Sequence, residues 1–156
     1  MFLVATETDA GEEPSERTAS MVVAKKLKRV IVTATPADKK LIERCRATED
    51  IDEILELTRH DSAAVRVAAL KEMCPCHLKE QEIPDFWTRV LEMVGDSDLG
   101  VRKQVLHTLC DGSPASLQVE IMEAMETFNH DTDTDLRRMA HKVIATYAKT
   151  GKLNIL

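Results

Sequence analysis

The sequence has 156 residues, of which 44% are hydrophobic, and this length and composition suit one domain with a buried core. Aromatic residues make up only 3%, which favours packed helices over a β-sandwich, and no apolar run is long enough for a membrane span or a signal peptide. We therefore expect a cytoplasmic or nuclear protein without a membrane partner, whose four cysteines are reduced thiols rather than disulfides.

The first part of the chain divides into two predicted segments. Residues 1–20 are polar, acidic and without periodicity, and we expect them to be disordered. Residues 21–48 are expected to form an N-terminal capping region. Within it, residues 21–34 fit a helix or a strand, and the spacing of their apolar residues favours the helix. A run of basic residues there is interpreted as a solvated helix face rather than a nuclear-localisation signal or a nucleic-acid patch.

A clear helix start follows at Thr35. A threonine cap, a proline at the first helical position and Asp38 in the first turn predict a helix that runs to Arg46. Its inward residues should be Leu41, Ile42 and Cys45, which would cover the apolar flank of the region that follows. Thr48 is predicted to cap the next helix.

An amphipathic pattern then occurs three times, about 35 residues apart. In each copy a cluster of Asp, Ser and Thr precedes apolar residues at helical spacing, as expected for an N-cap and a helix. Each copy has an arginine directly after its first apolar residue. The three apolar stripes are Val65, Ala69 and Met73; Val101, Val105 and Leu109; and Leu136, Ala140 and Ile144.

A second stripe precedes each copy. Its members are Ile51, Leu55 and Thr58; Phe86, Val90 and Met93; and Ile121, Met125 and Phe128. Each unit therefore reads as helix, tight turn and helix, and a period of this length indicates an α-solenoid. The predicted repeats are about 49–76, 84–112 and 115–149, within a repeat domain of residues 49–156. Pro84 begins the second repeat, Pro114 precedes the third, and Gly151 ends the last helix.

The motifs D-S-A-A-V-R-V-A-A-L at 61–70 and D-S-D-L-G-V-R at 96–102 resemble HEAT repeats. The third unit departs from that pattern, with Leu136 in place of valine and His141 at a leucine position. The resemblance covers roughly residues 49–148 and implies an all-α fold: a short α-solenoid of about three HEAT-like repeats with an N-terminal capping helix. It further implies that the second helices line a concave face, and that Arg66, Arg102 and Arg137 form a structural ladder with the turn aspartates.

Candidate metal ligands are present in C-P-C-H, Cys74 to His77, with Cys110 and Asp111 further along the chain. Three thiols and an imidazole could bind zinc. However, Cys74 and Cys110 occupy equivalent positions in successive repeats, which is typical of small buried core residues. The sequence therefore predicts packing cysteines and no bound metal.

Two further patterns are interpreted as turn chemistry. Some HEAT-like hydroxylases bind iron through His-Glu pairs, whereas this chain has His-Asp pairs at His60 and His130, two repeats apart. Packed helices are about 8–10 Å apart, so these pairs cannot share one ion, and turn capping explains them better. Asp111 to Pro114 reads as a helix end and a turn, and Ser113 is not expected to be a nucleophile.

Charge is segregated between the two helices of each repeat. The first helices are acidic and the second helices are basic, although the net charge is −6. If the turn aspartates occupy the three arginines, other cations remain for a ligand. The predicted binding residues on the concave face are Lys71, Lys103, His107, Arg138 and Lys142.

These features predict a non-enzymatic scaffold or adaptor that binds a protein segment, with an acidic segment favoured. No catalytic residues and no cofactor are expected. The alternatives are binding of a nucleic-acid backbone in the same basic groove, or a non-catalytic subunit of an enzyme or lyase complex. Net acidity and a single Trp and Tyr weigh against nucleic acid.

Overall fold

The computed structural model describes residues 34–75 and 83–153, and the regular secondary structure of these residues is entirely helical. The all-α prediction is therefore confirmed for the described residues. The predictions for residues 1–33 lie outside them, as do those for Cys76 and His77.

Seven α-helices and two short 3₁₀ turns make up the described structure. The 3₁₀ turns are Met93–Gly95 and Ala115–Leu117. The α-helices are α1 Pro36–Ala47, α2 Ile51–Leu57, α3 Ala63–Glu72, α4 Pro84–Glu92, α5 Leu99–Cys110, α6 Gln118–Asn129 and α7 Thr134–Thr150. None of these helices is both long enough and apolar enough to cross a membrane.

Local sequence signals explain where α1 begins. The Thr35 hydroxyl accepts a hydrogen bond from the Asp38 backbone N–H, and the Asp38 carboxylate accepts one from the Thr35 N–H. This reciprocal capping box, with Pro36 at the first helical position, confirms the predicted start. Cys45 is buried as predicted, whereas Leu41 and Ile42 are only half-buried.

The start of α2 differs from the prediction. Its N-cap is Asp50, whose carboxylate accepts hydrogen bonds from the backbone N–H groups of Asp52 and Glu53. Thr48 instead ends α1, and its hydroxyl donates to the Glu53 carboxylate while accepting from the Asp50 N–H. The carboxylate is closer to the helix and satisfies two free N–H groups at once, so it displaces the threonine as the cap.

Each second helix begins at the predicted polar cluster. Ser62, Asp98 and Asp133 are the N-caps of α3, α5 and α7. The two aspartates accept hydrogen bonds from the N–H groups of Val101 and Leu136, respectively. Such caps satisfy donors that the first turn of a helix leaves free.

The helices contact one another in a regular order. Within the pairs α2–α3, α4–α5 and α6–α7, each first helix packs on its second helix. Between pairs, α3 contacts α5 and α5 contacts α7, while α4 contacts α6. Helix α1 contacts α3 and α2.

The predicted stripes account for most of the core. All three second-helix stripes are fully buried except for Ile144, which is half-buried against the core. In the first-helix stripes, Ile51 and Leu55 are half-buried and the other seven residues are buried. Leu153, in the C-terminal tail, also packs against the core.

Thr58 is the one polar residue in these stripes, and Arg89 of α4 explains it. The Thr58 hydroxyl donates to the Leu55 carbonyl oxygen at 2.6 Å and accepts from Arg89 Nε at 3.0 Å. Arg89 also donates to the Thr58 carbonyl oxygen at 3.0 Å. Because these polar groups satisfy one another, the buried threonine joins the end of α2 to α4 at little cost.

We expect Gly151→Ala to lower the free energy of unfolding by about 1 kcal/mol. Gly151 ends α7 with φ = 66°, a conformation that an alanine side chain disfavours. Gly95→Ala is the matched control, because a Cβ there meets no atom within 4 Å and its φ is not positive. Urea unfolding of both variants measures the difference, and equal stabilities would contradict this explanation of the helix end.

Candidate functional site

The predicted binding residues occupy two recurring positions on the second helices. Counted from Val65, Val101 and Leu136, these positions lie two and six residues further on, so they are four apart and share one side of each helix. The first position holds Val67, Lys103 and Arg138, and the second holds Lys71, His107 and Lys142.

Two arginines of the second helices each bind the turn of the next helix pair. Arg66 donates through Nε and Nη2 to both carboxylate oxygens of Asp96, at 3.0 and 2.8 Å. Arg102 binds Asp131 in the same way, at 2.7 and 3.1 Å. These four side chains are only 10–13% exposed, and bidentate pairs of this kind are stronger than single hydrogen bonds.

Each of these arginines also binds the turn that precedes its own helix. Nη1 of Arg66 donates to the carbonyl oxygens of His60 and Asp61, and Nη1 of Arg102 donates to those of Asp96 and Ser97. One guanidinium therefore connects two successive turns. This explains why an arginine follows the first apolar residue of the stripe.

Arg137 repeats only half of this arrangement. It donates to the Asp131 carbonyl oxygen in its own turn and to the Thr134 hydroxyl. Among the described residues, no aspartate of a following turn accepts from it. The other two arginines are occupied by their structural contacts and are poorly placed to bind a ligand.

Two turn carboxylates, Asp131 and Asp133, have pKa values below the ordinary value for aspartate. Burial alone would raise the pKa of Asp131, but hydrogen bonds from Arg102 and the Asp133 N–H outweigh it, so this pKa is lowered. The pKa of Asp133 is also lowered, chiefly by the hydrogen bond from the Leu136 N–H, with a further contribution from Lys103. Both carboxylates are thus held in the charged form that the neighbouring cations require.

Lys103 is not the unpaired cation that the sequence predicted. Its Nζ lies 3.4 Å from Asp133 Oδ1, which belongs to the N-cap of α7. The turn aspartates were expected to bind arginines alone, but the second carboxylate of the D-T-D cluster at 131–133 pairs with this lysine. Arg138 has a weaker partner, since its contact with Asp135 at 3.2 Å joins two largely exposed side chains.

Lys71 and Lys142 remain as exposed cations at equivalent positions of α3 and α7. Within residues 34–75 and 83–153, neither lysine has a carboxylate close enough for an ion pair. Of the five predicted binding residues, these two are the most available to a ligand.

His107, the fifth predicted binding residue, belongs to a different cluster. Its Nε2 lies 3.7 Å from Asp111 Oδ2, and the same oxygen lies 3.5 Å from Cys74 Sγ. The donor atoms of these three residues all lie within 4.8 Å of one another. The sequence had indicated Cys74 and Asp111 as possible metal ligands, but not their proximity to His107.

Cys110 does not join this cluster, although the sequence placed it in the candidate zinc set. Its side chain is fully buried, and its Sγ lies 4.0 Å from Met125 Sδ. Burial, with a smaller effect from Asp111, raises the pKa of the Cys110 thiol to about 12. Cys110 therefore packs in the core as a neutral thiol, as the repeat pattern predicted.

The two His-Asp pairs make turn and surface contacts. Nδ1 of His60 accepts a hydrogen bond from the Ser62 N–H, and Nε2 of His130 lies 3.3 Å from the Glu126 carboxylate. The Asp131 carboxylate accepts from the Asp133 N–H at 2.8 Å. These contacts agree with the turn interpretation of both pairs.

Comparisons with known proteins add no relative: no protein-family model, no curated protein and no solved structure matches this chain.

Proposed function

We propose that this chain is a non-enzymatic binding module, a short α-solenoid of about three HEAT-like repeats that binds an acidic protein segment on the side of α3, α5 and α7 that carries Lys71 and Lys142. The repeated register of buried stripes supports the solenoid, as does the packing of each second helix on the next. The repeated arginine–aspartate contacts between successive turns support it further.

The single observation that carries the binding proposal is the exposure of Lys71 and Lys142 at equivalent positions of two second helices. Exposed cations attract an acidic ligand and speed its encounter with the surface. Arg138 of α7, whose side chain is 75% exposed, is a third cation available to a ligand. Its surface ion pair with Asp135 contributes little to stability, so a ligand can replace it.

A protein ligand is favoured over nucleic acid. Single-stranded nucleic acid is usually bound by stacking bases on exposed aromatic side chains. Trp87 is buried in the core beside Phe86, with ring centroids 5.2 Å apart, so it offers no stacking surface. The net charge of −6 also opposes general attraction to phosphates.

Affinity capture with charge-reversed protein tests this function. We expect Lys71→Glu with Lys142→Glu to lose most of the partner that the wild-type protein captures, because two attractive charges become repulsive. Folding should be nearly unchanged, since exposed charges contribute little to stability. The comparison is made by quantitative mass spectrometry of the captured proteins, with nuclease treatment to detect capture through nucleic acid.

The matched control changes the same amount of charge elsewhere. Arg59→Glu with Lys152→Glu alters two exposed cations outside the second helices. This control should capture as much partner as the wild type. If both double variants captured equally less partner, the effect would be due to net charge and not to the two lysines. If nuclease treatment removed the partner, the nucleic-acid alternative would be favoured.

A further inference from the structure

We propose that Cys74, His107 and Asp111 bind one Zn²⁺ ion. The three side chains come from two elements: Cys74 lies just beyond α3, and His107 and Asp111 lie at the C-terminal end of α5. This set differs from the C-P-C-H run suggested by sequence. It also goes beyond the proposed binding function, and its test needs no partner.

The distances suit a tetrahedral ion. Zinc is bound at about 2.3 Å by sulfur and about 2.0–2.2 Å by nitrogen or oxygen, so neighbouring ligand atoms in a tetrahedron lie about 3.3–3.8 Å apart. Asp111 Oδ2 already lies 3.5 Å from Cys74 Sγ and 3.7 Å from His107 Nε2. The third separation, between Cys74 Sγ and the His107 ring nitrogen, lies within 4.8 Å, so a small rotation of the partly exposed imidazole brings all three ligand atoms to tetrahedral distances.

The donor types favour zinc over the common hard cations. A thiolate, an imidazole and a carboxylate are all established zinc ligands, whereas Ca²⁺ and Mg²⁺ prefer oxygen atoms alone. His107 and Asp111 are 44% and 28% exposed, which leaves room for water as a fourth ligand. The C-terminal end of α5 adds partial negative charge that favours a cation there. On binding, the Cys74 thiol releases its proton to solvent.

The backbone beside the cluster is shaped for this approach. Gly112 has φ = 94°, and a Cβ at that position would lie 3.1 Å from Pro75 Cβ. Pro75 directly follows Cys74, and Gly112 directly follows Asp111. The absence of a side chain at Gly112 therefore lets the two ligand-bearing segments come together.

Calorimetric titration of the full-length, reduced and metal-free protein with ZnCl₂ tests the site. We expect one equivalent to bind the wild type. His107→Gln and Asp111→Asn should each raise the dissociation constant for zinc more than about 100-fold. Loss of a residue that only supports a metal ligand costs about 10–100-fold in affinity, and loss of a ligand itself should cost more. With Co²⁺ as a spectroscopic substitute, the thiolate-to-metal absorption band should appear in the wild type and be absent in Cys74→Ser.

The matched control is His130→Gln. His130 and Glu126 form a histidine–carboxylate pair with the same spacing of four residues, but without a cysteine in the cluster. This variant should bind zinc as the wild type does.

The proposal would be overturned if the wild type bound no zinc, or if His130→Gln weakened binding as much as His107→Gln. The proposal would also be overturned if His107→Gln bound zinc with wild-type affinity while Cys76→Ser lost zinc binding. The ion would then be bound by the C-P-C-H run. His107 and Asp111 are partly exposed, so their variants should fold and keep the test decisive even if Cys74→Ser does not.

Discussion

The Arg102→Met variant is expected to lose about 3 kcal/mol of unfolding free energy relative to the wild type. The substitution keeps an apolar chain of similar length but leaves the Asp131 carboxylate, which is 10% exposed, without its bidentate partner. It also frees the carbonyl oxygens of Asp96 and Ser97. Urea unfolding measures the loss.

Arg138→Met is the matched control for this prediction. The same change removes only the exposed contact with Asp135, so it should alter stability by less than about 0.5 kcal/mol. Equal losses in the two variants would show that the Arg102–Asp131 pair does not hold the turns together.

The pH dependence of the same comparison provides a second readout. The folded pKa of Asp131 lies below its ordinary value of 3.8, so the pair contributes fully above that pH. Its contribution is lost as the pH falls through the folded pKa. The difference in stability between the wild type and Arg102→Met should therefore shrink in acid.

Phe128→Ala should cost about 4 kcal/mol of unfolding free energy. Phe128 is the last residue of the third first-helix stripe and is fully buried in the core, so its removal leaves a large cavity. Val119→Ala on the same helix is the control, because Val119 is 69% exposed and should change stability by less than about 0.5 kcal/mol. A small cost at Phe128 would contradict the register assigned to α6.

Local chemistry explains what the sequence predicted well. The start of α1 depends on Thr35, Pro36 and Asp38, which lie within one turn of each other. The end of α7 depends on Gly151 alone. The buried stripes follow from helical spacing, which is also a local property. The predicted cap of α2 was wrong by two residues, because the Asp50 carboxylate caps the helix in place of Thr48.

The contacts that the sequence did not reveal join distant residues. Lys103 of α5 contacts Asp133 at the start of α7, in the next helix pair, and Cys74 lies near Asp111 because α3 packs on α5. For the proposed zinc site, the sequence indicated Cys74 and Asp111 as candidate ligands, and it showed the spacing of four residues between His107 and Asp111. The glycine at 112 leaves room for Pro75, which follows Cys74, because a Cβ at that position would lie 3.1 Å from Pro75 Cβ.

The most direct test of the proposed function is the salt dependence of partner binding. The dissociation constant of a captured partner is measured for the wild type and for Lys71→Glu with Lys142→Glu, at low and at physiological ionic strength. We expect wild-type binding to weaken as the salt concentration rises. Screening limits the range over which exposed charges interact to about 8 Å at physiological ionic strength. The double variant should bind weakly under both conditions. Equal affinities of the two proteins, with no effect of salt, would contradict a role for these lysines in binding.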